Sequence, residues 1–321
     1  MPQSSRSTAA SRVARAGGLL REPRRIGPAV RRRLSRRVEP VVVVPTMSRR
    51  ARLELITAHV DLGGLGLEFG PSHNPLLSKA DGYDIRIADY LDRDGLLEKY
   101  EGLRPTHRIE EVDYVLTGGR LTEEIPDRFD YIVASHVIEH TVCLVCFLED
   151  CAGLLRPGGA LTLAIPDRRY CFDRFRDRTA LGRVIDVHNL GLKVHSEGSV
   201  IEHYLFAAGK GDSVAWSNGA PGRYRFLHPL ETAVARGNQA ATGEYIDTHN
   251  WVFTPSHFRL LIQDLRSLGL VTLNEKSFTD TIGPEFYVTL SADGKGPGLS
   301  RHELQERSAN ETSTNEVLSF V

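Results

Sequence analysis

Residues 67–75 read LEFGPSHNP. An apolar run ends at Gly70, Glu68 sits two positions before that glycine, and Pro71 follows at once. A short apolar run closed by glycine and proline predicts a buried strand, Gly66 to Phe69, entering a sharp turn. Similar runs follow at Asp84 to Ala88, Glu111 to Val115, Phe129 to Ala134 and Ala160 to Ile165. Between the last two lies an amphipathic stretch, Thr141 to Leu155, stopped by Pro157-Gly158-Gly159. Strands alternating with helical sequence predict an α/β fold built on a mostly parallel sheet covered on both faces.

Outward from this centre, residues 49–61 place Leu53, Ile56 and Val60 at helical spacing, so a helix leads the domain. After Pro166 the βα pattern breaks for about 85 residues rich in His, Arg, Tyr and Gly. A structureless loop of that length is rare in a compact domain, so residues 167–250 are expected to form an insertion with its own elements. Order returns with Thr254 as helix cap, Pro255 at the first helical position, and Phe258, Leu261, Ile262 and Leu265 on one face. Two strands, about Leu270 to Glu275 and Glu285 to Leu290, close a domain spanning 49–292, and residues 293–321 read as a disordered polar tail.

The chain has 321 residues, 41% hydrophobic and 25% charged, with a formal net charge of −1. Between Met1 and Arg50 there are 13 arginines against Glu22 and Glu39, or +11, which leaves −12 on the remaining 271 residues. Residues 1–48 therefore read as a disordered basic arm: a solvated leader, or a weak peripheral contact with an anionic membrane, with no specific nucleic-acid partner. The densest apolar run in the arm, Val41 to Val44, is too short for a secretory signal, and no stretch approaches a membrane span. A cytoplasmic protein is expected. Cys143, Cys146 and Cys151 fall at helical spacing and, with Cys171, read as core packing, since no second pair completes a metal site.

In an open parallel sheet, ligands bind beyond the carboxyl ends of the strands. Asp89 lies 19 residues after Gly70, the spacing at which dinucleotide folds place an acid on ribose hydroxyls. The turn lacks the several glycines that a pyrophosphate needs, which argues against a nicotinamide oxidoreductase. A ribose without a pyrophosphate points to S-adenosylmethionine (SAM). LEFGPSHNP, IADYLDRDGLLEKY, FDYIVASHVIEH, LLRPGGALTLAIPDRRYCFD and THNWVFTPSHFRLLI resemble, in order, the motifs of class I SAM-dependent methyltransferases. Among these they are similar to bacterial members associated with glycan and cell-envelope biosynthesis. The resemblance implies a Rossmann-like seven-stranded sheet, methyl transfer to a small-molecule or glycan hydroxyl, and a site with assigned positions. Glu68, Gly70, Pro71 and Ser72 would border the methionine part of SAM and Asp89 the ribose. Asp113 would meet the adenine amine, and Ser135 and His136 the sulfonium.

Three alternatives stay open. Glu68 could cap the amides of its own turn or face solvent, Asp89 could be a turn residue, and a non-catalytic SAM-binding or membrane-attached scaffold shares the fold. For the proton released by a hydroxyl acceptor, His136 is the first candidate, followed by Asp167 and His249, with Tyr170 and His203 as others. His136 could equally hydrogen-bond a strand end. In the insertion, His188, His195, Glu197 and His203 match no metal-ligand spacing, so a substrate-facing or surface role is expected and no metal is assigned. Arginines 168, 169, 174, 176 and 178 could recognise an anionic acceptor or pair with Asp167, Asp173 and Asp177.

Overall fold

The computed structural model describes residues 47–216 and 222–311. Its centre is a seven-stranded sheet in the order β3-β2-β1-β4-β5-β10-β9. The strands are β1 (Gly66–Phe69), β2 (Ile85–Asp89), β3 (Tyr114–Val115), β4 (Phe129–Ser135), β5 (Leu155–Pro166), β9 (Asn274–Ile282) and β10 (Glu285–Ser291). All neighbours pair in parallel except β10, which runs antiparallel to both β5 and β9. The expected Rossmann-like α/β sheet is therefore present. Strand order reverses between β1 and β4, and that reversal opens a crevice at the carboxyl edge.

Side-chain alternation sends each strand's residues to two separate cores. Ile132 and Ala134 of β4 join Leu67, Phe69, Leu161 and Leu163 in a cluster under α4 (Leu144–Leu154) and α8 (Pro255–Ser267). Tyr131 and Val133 face the opposite way, toward Ile85, Ile87 and Ile56 of α1 (Arg49–Thr57). Helix α2 (Arg93–Tyr100) follows β2 and α3 (Leu121–Glu124) follows β3. Because Leu67 and Phe69 point into the first core, Glu68 is turned into the second.

The insertion has its own elements, as its length requires. Helices α5 (Leu181–Leu190), α6 (Glu197–Phe206) and α7 (Leu230–Ala241) accompany a three-stranded sheet of β6 (Ala208–Lys210), β7 (Ser213–Val214) and β8 (Tyr224–Phe226). Val200, Ala240 and Ile246 form its small core. Gly237 lets α6 and α7 approach closely, since a Cβ there would sit 2.4 Å from Ile201 Cγ1.

Several boundaries differ from expectation. Only Tyr114 and Val115 of the third run form a strand, and α4 starts at Leu144, after a short 3-10 turn over Ile138–His140. Residues 270–273 pack Val271 and Leu273 into the core without sheet pairing, so β9 begins at Asn274. The expectation of a disordered tail is corrected for residues 293–311. Helix α9 (Arg301–Asn310) opens with a capping box between Ser300 and Glu303, lays fully buried Leu304 against the domain, and is tied to α8 by Arg301 and Asp264. The basic arm lies outside the described residues except for Met47 and Ser48, the latter capping α1.

The docking of α9 has a stability consequence. Leu304→Ala should cost about 2–4 kcal/mol and Ser300→Ala about 1 kcal/mol in urea unfolding. Wild-type stability in both variants would mean that α9 does not pack as described.

Candidate functional site

The crevice is built from the carboxyl ends of β1, β2, β4 and β5, with the first residue of β10 beside them. Gly70 ends β1 with φ +55 and donates its N–H to the Ala88 carbonyl at 2.8 Å, so the chain turns while still tied to β2. Among the described residues, the non-glycine residues with positive φ are Ser72 (φ 51) and His136 (φ 54). Both sit just past strand ends facing the crevice. Backbone strain of this kind costs about 1–3 kcal/mol and concentrates at functional sites.

Glu68 does not face the crevice. Its two carboxylate oxygens accept the N–H groups of Leu76 (2.8 Å) and Leu77 (3.0 Å), while Arg49 of α1 donates to the carbonyls of Pro75 and Leu76. The expected contact with cofactor is therefore corrected to the alternative left open: Glu68 holds the 70–77 turn from behind. Asp113 is corrected similarly. Its Oδ2 accepts from Lys79 Nζ (2.6 Å) and the Ile87 N–H (2.8 Å), pinning the edge of β2 instead of reaching past the strand ends.

Asp89 lies at the tip of β2, 2% exposed, accepting from the N–H of Ser72 (3.1 Å) and of Tyr90 (2.8 Å). One backbone donor on each oxygen leaves acceptor capacity for hydroxyls. Burial raises its pKa above the usual carboxylate value, with those amides opposing. Gly70, Pro71, Ser72 and Asp89 thus form one connected edge of the crevice.

The opposite edge follows β4. Ser135 Oγ accepts from Arg52 Nη2 (2.5 Å), and Arg52 grips both oxygens of Glu285. Glu285 also accepts from Tyr287 Oη (2.6 Å) and contacts His136 Nε2. On the other side of the imidazole, His136 Nδ1 stands 3.5 Å from Glu139 Oε1. Burial opposes the charge on His136, but the two carboxylates outweigh it and push its pKa up to about 9. An imidazolium at neutral pH donates a proton rather than accepts one, so the expected base role of His136 is replaced by that of a fixed cation.

Glu139 is fully buried, and among the described residues its carboxylate has no well-formed hydrogen bond, the His136 imidazole at 3.5 Å being at the limit of one. Besides His136, it is approached by His140 Nε2 and His249 Nε2, each at 3.9 Å. Burial would raise its pKa, yet these imidazoles lower it, and the group stays ionised. Both further imidazoles are oriented from behind, His140 by Asp247 (2.8 Å) and His249 by Asp173 (2.5 Å). A carboxylate and two imidazoles, each steered by an outer carboxylate, form a set that could hold a divalent cation. Sequence reasoning placed no metal here. The SHVIEH stretch was the available signal, whereas Asp173 and Asp247 carried none.

Asp167 is also corrected. Completely buried, it is engaged by Arg169 through the backbone and guanidinium and by Thr281 Oγ1 (2.6 Å), a set of partners that holds the strand end and is turned away from the expected proton transfer. The arginine run divides between structural tasks: Arg176 pairs with Asp173 and Arg178 bonds Ser308. His195 bridges the carbonyls of Ile246 and His140, and His203 accepts from the His249 N–H, so both are structural posts beneath the cluster. Ring contacts line the space above it: Trp216 lies 5.4 Å from His136 and 5.9 Å from Phe172, and Phe172 lies 4.4 Å from His249.

The cysteine expectation holds for buried Cys151 and Cys171. It fails for Cys143 and Cys146, which form a disulfide at the start of α4. No helix among the described residues is long and apolar enough to cross a membrane.

No protein-family model matches the chain. A 57-residue segment is 39% identical to a ubiquinone biosynthesis O-methyltransferase of Parvibaculum lavamentivorans, covering 18% of this chain and 22% of that protein. A 41-residue segment is 46% identical to the human mitochondrial ubiquinone biosynthesis O-methyltransferase, covering 13% and 11%. The matched segments thus span at most about a fifth of these relatives. Among solved structures, the mitomycin 7-O-methyltransferase MmcR matches at 15% identity and TM-score 0.33 over 75% of this chain and 55% of its own. A putative Zn-dependent alcohol dehydrogenase from Rhodobacter sphaeroides matches at 15% and 0.41 over 77% and 91%. Scores this low carry no argument. The sheet order is that of a Rossmann-like, mostly parallel α/β sheet, and the two matched segments are similar to parts of O-methyltransferases.

Glu68 offers a pH test. Burial pushes its pKa up to about 7, against the ordinary 4.5. The folded chain then binds the proton more tightly than the unfolded one. This contribution to stability is complete below the ordinary value and is lost as pH rises through about 7. Glu68→Gln should flatten that fall in urea unfolding measured across the window. An unchanged slope would show that Glu68 does not titrate there.

Proposed function

We propose that this chain binds SAM and transfers its methyl group to a hydroxyl of a small acceptor carrying a ring, held beneath the 167–250 insertion. The observation that carries this reading is the pairing of two edges across one crevice. On one side stands Asp89 with its strained turn, and on the other an ionised, buried Glu139 among imidazoles. The shared segments with ubiquinone O-methyltransferases support oxygen as the acceptor atom. Phe172, Trp216 and His249 offer ring faces that suit a phenol; a sugar ring, expected from the glycan resemblance, is the alternative acceptor.

In the proposed transfer, the acceptor oxygen forms a bond to the methyl carbon as the carbon–sulfur bond breaks, and S-adenosylhomocysteine leaves. When bound, SAM would supply an already activated methyl group, and Asp89 would hold its ribose hydroxyls. Alignment supplies much of the rate, because SAM is already activated. His249 takes the hydroxyl proton on Nε2, with Asp173 holding Nδ1 and stabilising the imidazolium that forms. Imidazolium His136, locked by Glu285, keeps Glu139 ionised. A second reading follows from the unpartnered oxygens of Glu139: with His140 and His249 it fits a divalent cation, which when bound would lower the pKa of the acceptor hydroxyl.

Asp89→Ala should weaken SAM binding at least tenfold by calorimetry, the order of one or two hydrogen bonds to a charged group. His249→Ala and Glu139→Gln should leave SAM affinity within about threefold while lowering transfer of labelled methyl to catechols, phenols or methyl glycosides by about 100-fold or more. Equal losses in binding and turnover would make these residues structural. Dialysis against a chelator separates the two readings: activity lost and restored by a divalent cation favours the cation, and unchanged activity favours His249 as base.

A further inference from the structure

Away from the methyl-transfer crevice, a second cluster joins the insertion to the sheet domain. Cys143 caps the N-terminus of α4, and Cys146 lies in its first turn, donating its backbone N–H to Cys143 Sγ at 3.1 Å. His188, near the end of α5, brings Nδ1 to 3.8 Å from Cys143 Sγ and 3.7 Å from Cys146 Sγ. Cys143 is nearly buried, while Cys146 and His188 are half-buried.

We infer that Cys143, Cys146 and His188 form a thiolate–imidazole site for a thiophilic divalent cation such as zinc, available when the disulfide is reduced. The spacing carries the argument. Zinc–sulfur bonds of about 2.3 Å and zinc–nitrogen bonds of about 2.0–2.1 Å at a tetrahedral angle put sulfur and nitrogen ligands about 3.6 Å apart. His188 Nδ1 already stands at that separation from both sulfurs. Only the sulfurs must part, and breaking their bond releases them. Two soft sulfurs and one imidazole select zinc-like cations over magnesium or calcium. Three protein ligands leave a fourth position for water. The N–H aimed at Cys143 Sγ, at a helix N-terminus, favours the thiolate that such a site needs.

The chemistry balances. A dithiol reductant delivers two electrons and two protons, leaving as its own disulfide and giving two thiols; cation binding then releases those two protons. The 141–143 segment carries the consequence onward. The Thr141 carbonyl accepts from Trp251 Nε1 (2.6 Å), and the Val142 carbonyl from Asn250 Nδ2 (3.0 Å), directly after His249. The site thus clamps α5 to the segment that supports the imidazole cluster. The inference does not depend on the methyl-transfer reading.

Cobalt titration of the full chain tests it, because thiolate-to-cobalt charge-transfer absorption reports sulfur ligation alone and ignores the Glu139 cluster. After reduction with dithiothreitol and desalting, one equivalent of Co2+ should bind with that absorption, which the unreduced protein and Cys143→Ser lack. His188→Ala should weaken it at least tenfold, with His188→Gln in its place if the alanine variant does not fold. Absence of the absorption in reduced wild type, its survival in Cys143→Ser, or wild-type affinity in both His188 variants would overturn the proposal.

Discussion

A buried carboxylate with no well-formed hydrogen bond is a costly thing to keep, and among the described residues Glu139 is one. Left alone, a buried ion of this kind costs several kcal/mol, and burial would neutralise it. The fold instead surrounds it with imidazoles from positions 136, 140 and 249, and each imidazole is held by a second carboxylate, Glu285, Asp247 or Asp173. Charge therefore alternates along Arg52, Glu285, His136 and Glu139. Removing an inner member leaves an uncompensated partner behind, so the cluster is coherent only as a whole.

This constraint explains much of the surrounding architecture. Arg52 reaches from α1 to Glu285 and Ser135, which brings the leading helix into the site. The Glu139 carbonyl accepts the N–H groups of both Asn250 and Trp251, bringing in the chain that follows the insertion. The opposite edge is held by backbone hydrogen bonds instead: Glu68 and Arg49 clamp the 70–77 turn, beside which Gly70 and Ser72 adopt their left-handed backbone. One edge is thus rigid through backbone hydrogen bonds and the other through alternating charge, and the crevice lies between them.

Much of the fold was legible in the sequence because buried parallel strands declare themselves as apolar runs. FDYIVA and ALTLAI are continuous, and β1 is bounded by its glycine and proline. Asp89 was legible through its spacing from Gly70. What escaped depends on contacts between residues far apart: Arg52 and Glu285 are 233 positions apart, and Asp173 and His249 are 76. No local pattern announces such a pair. Helix α9 escaped for another reason. Its surface is polar almost throughout, so composition reads it as tail, while its capping box, Ser300 with Glu303, was a signal passed over. Glu68 shows the reverse case, in which the position was found but its direction depended on strand alternation.

The proposed function places SAM in the crevice between Asp89 and His136. Calorimetric titration of the full chain with SAM, with NADH as the control ligand, tests it most directly. Saturable one-site binding of SAM is expected, with no heat of binding from NADH. Binding of NADH, or no binding of SAM by folded protein, would contradict it.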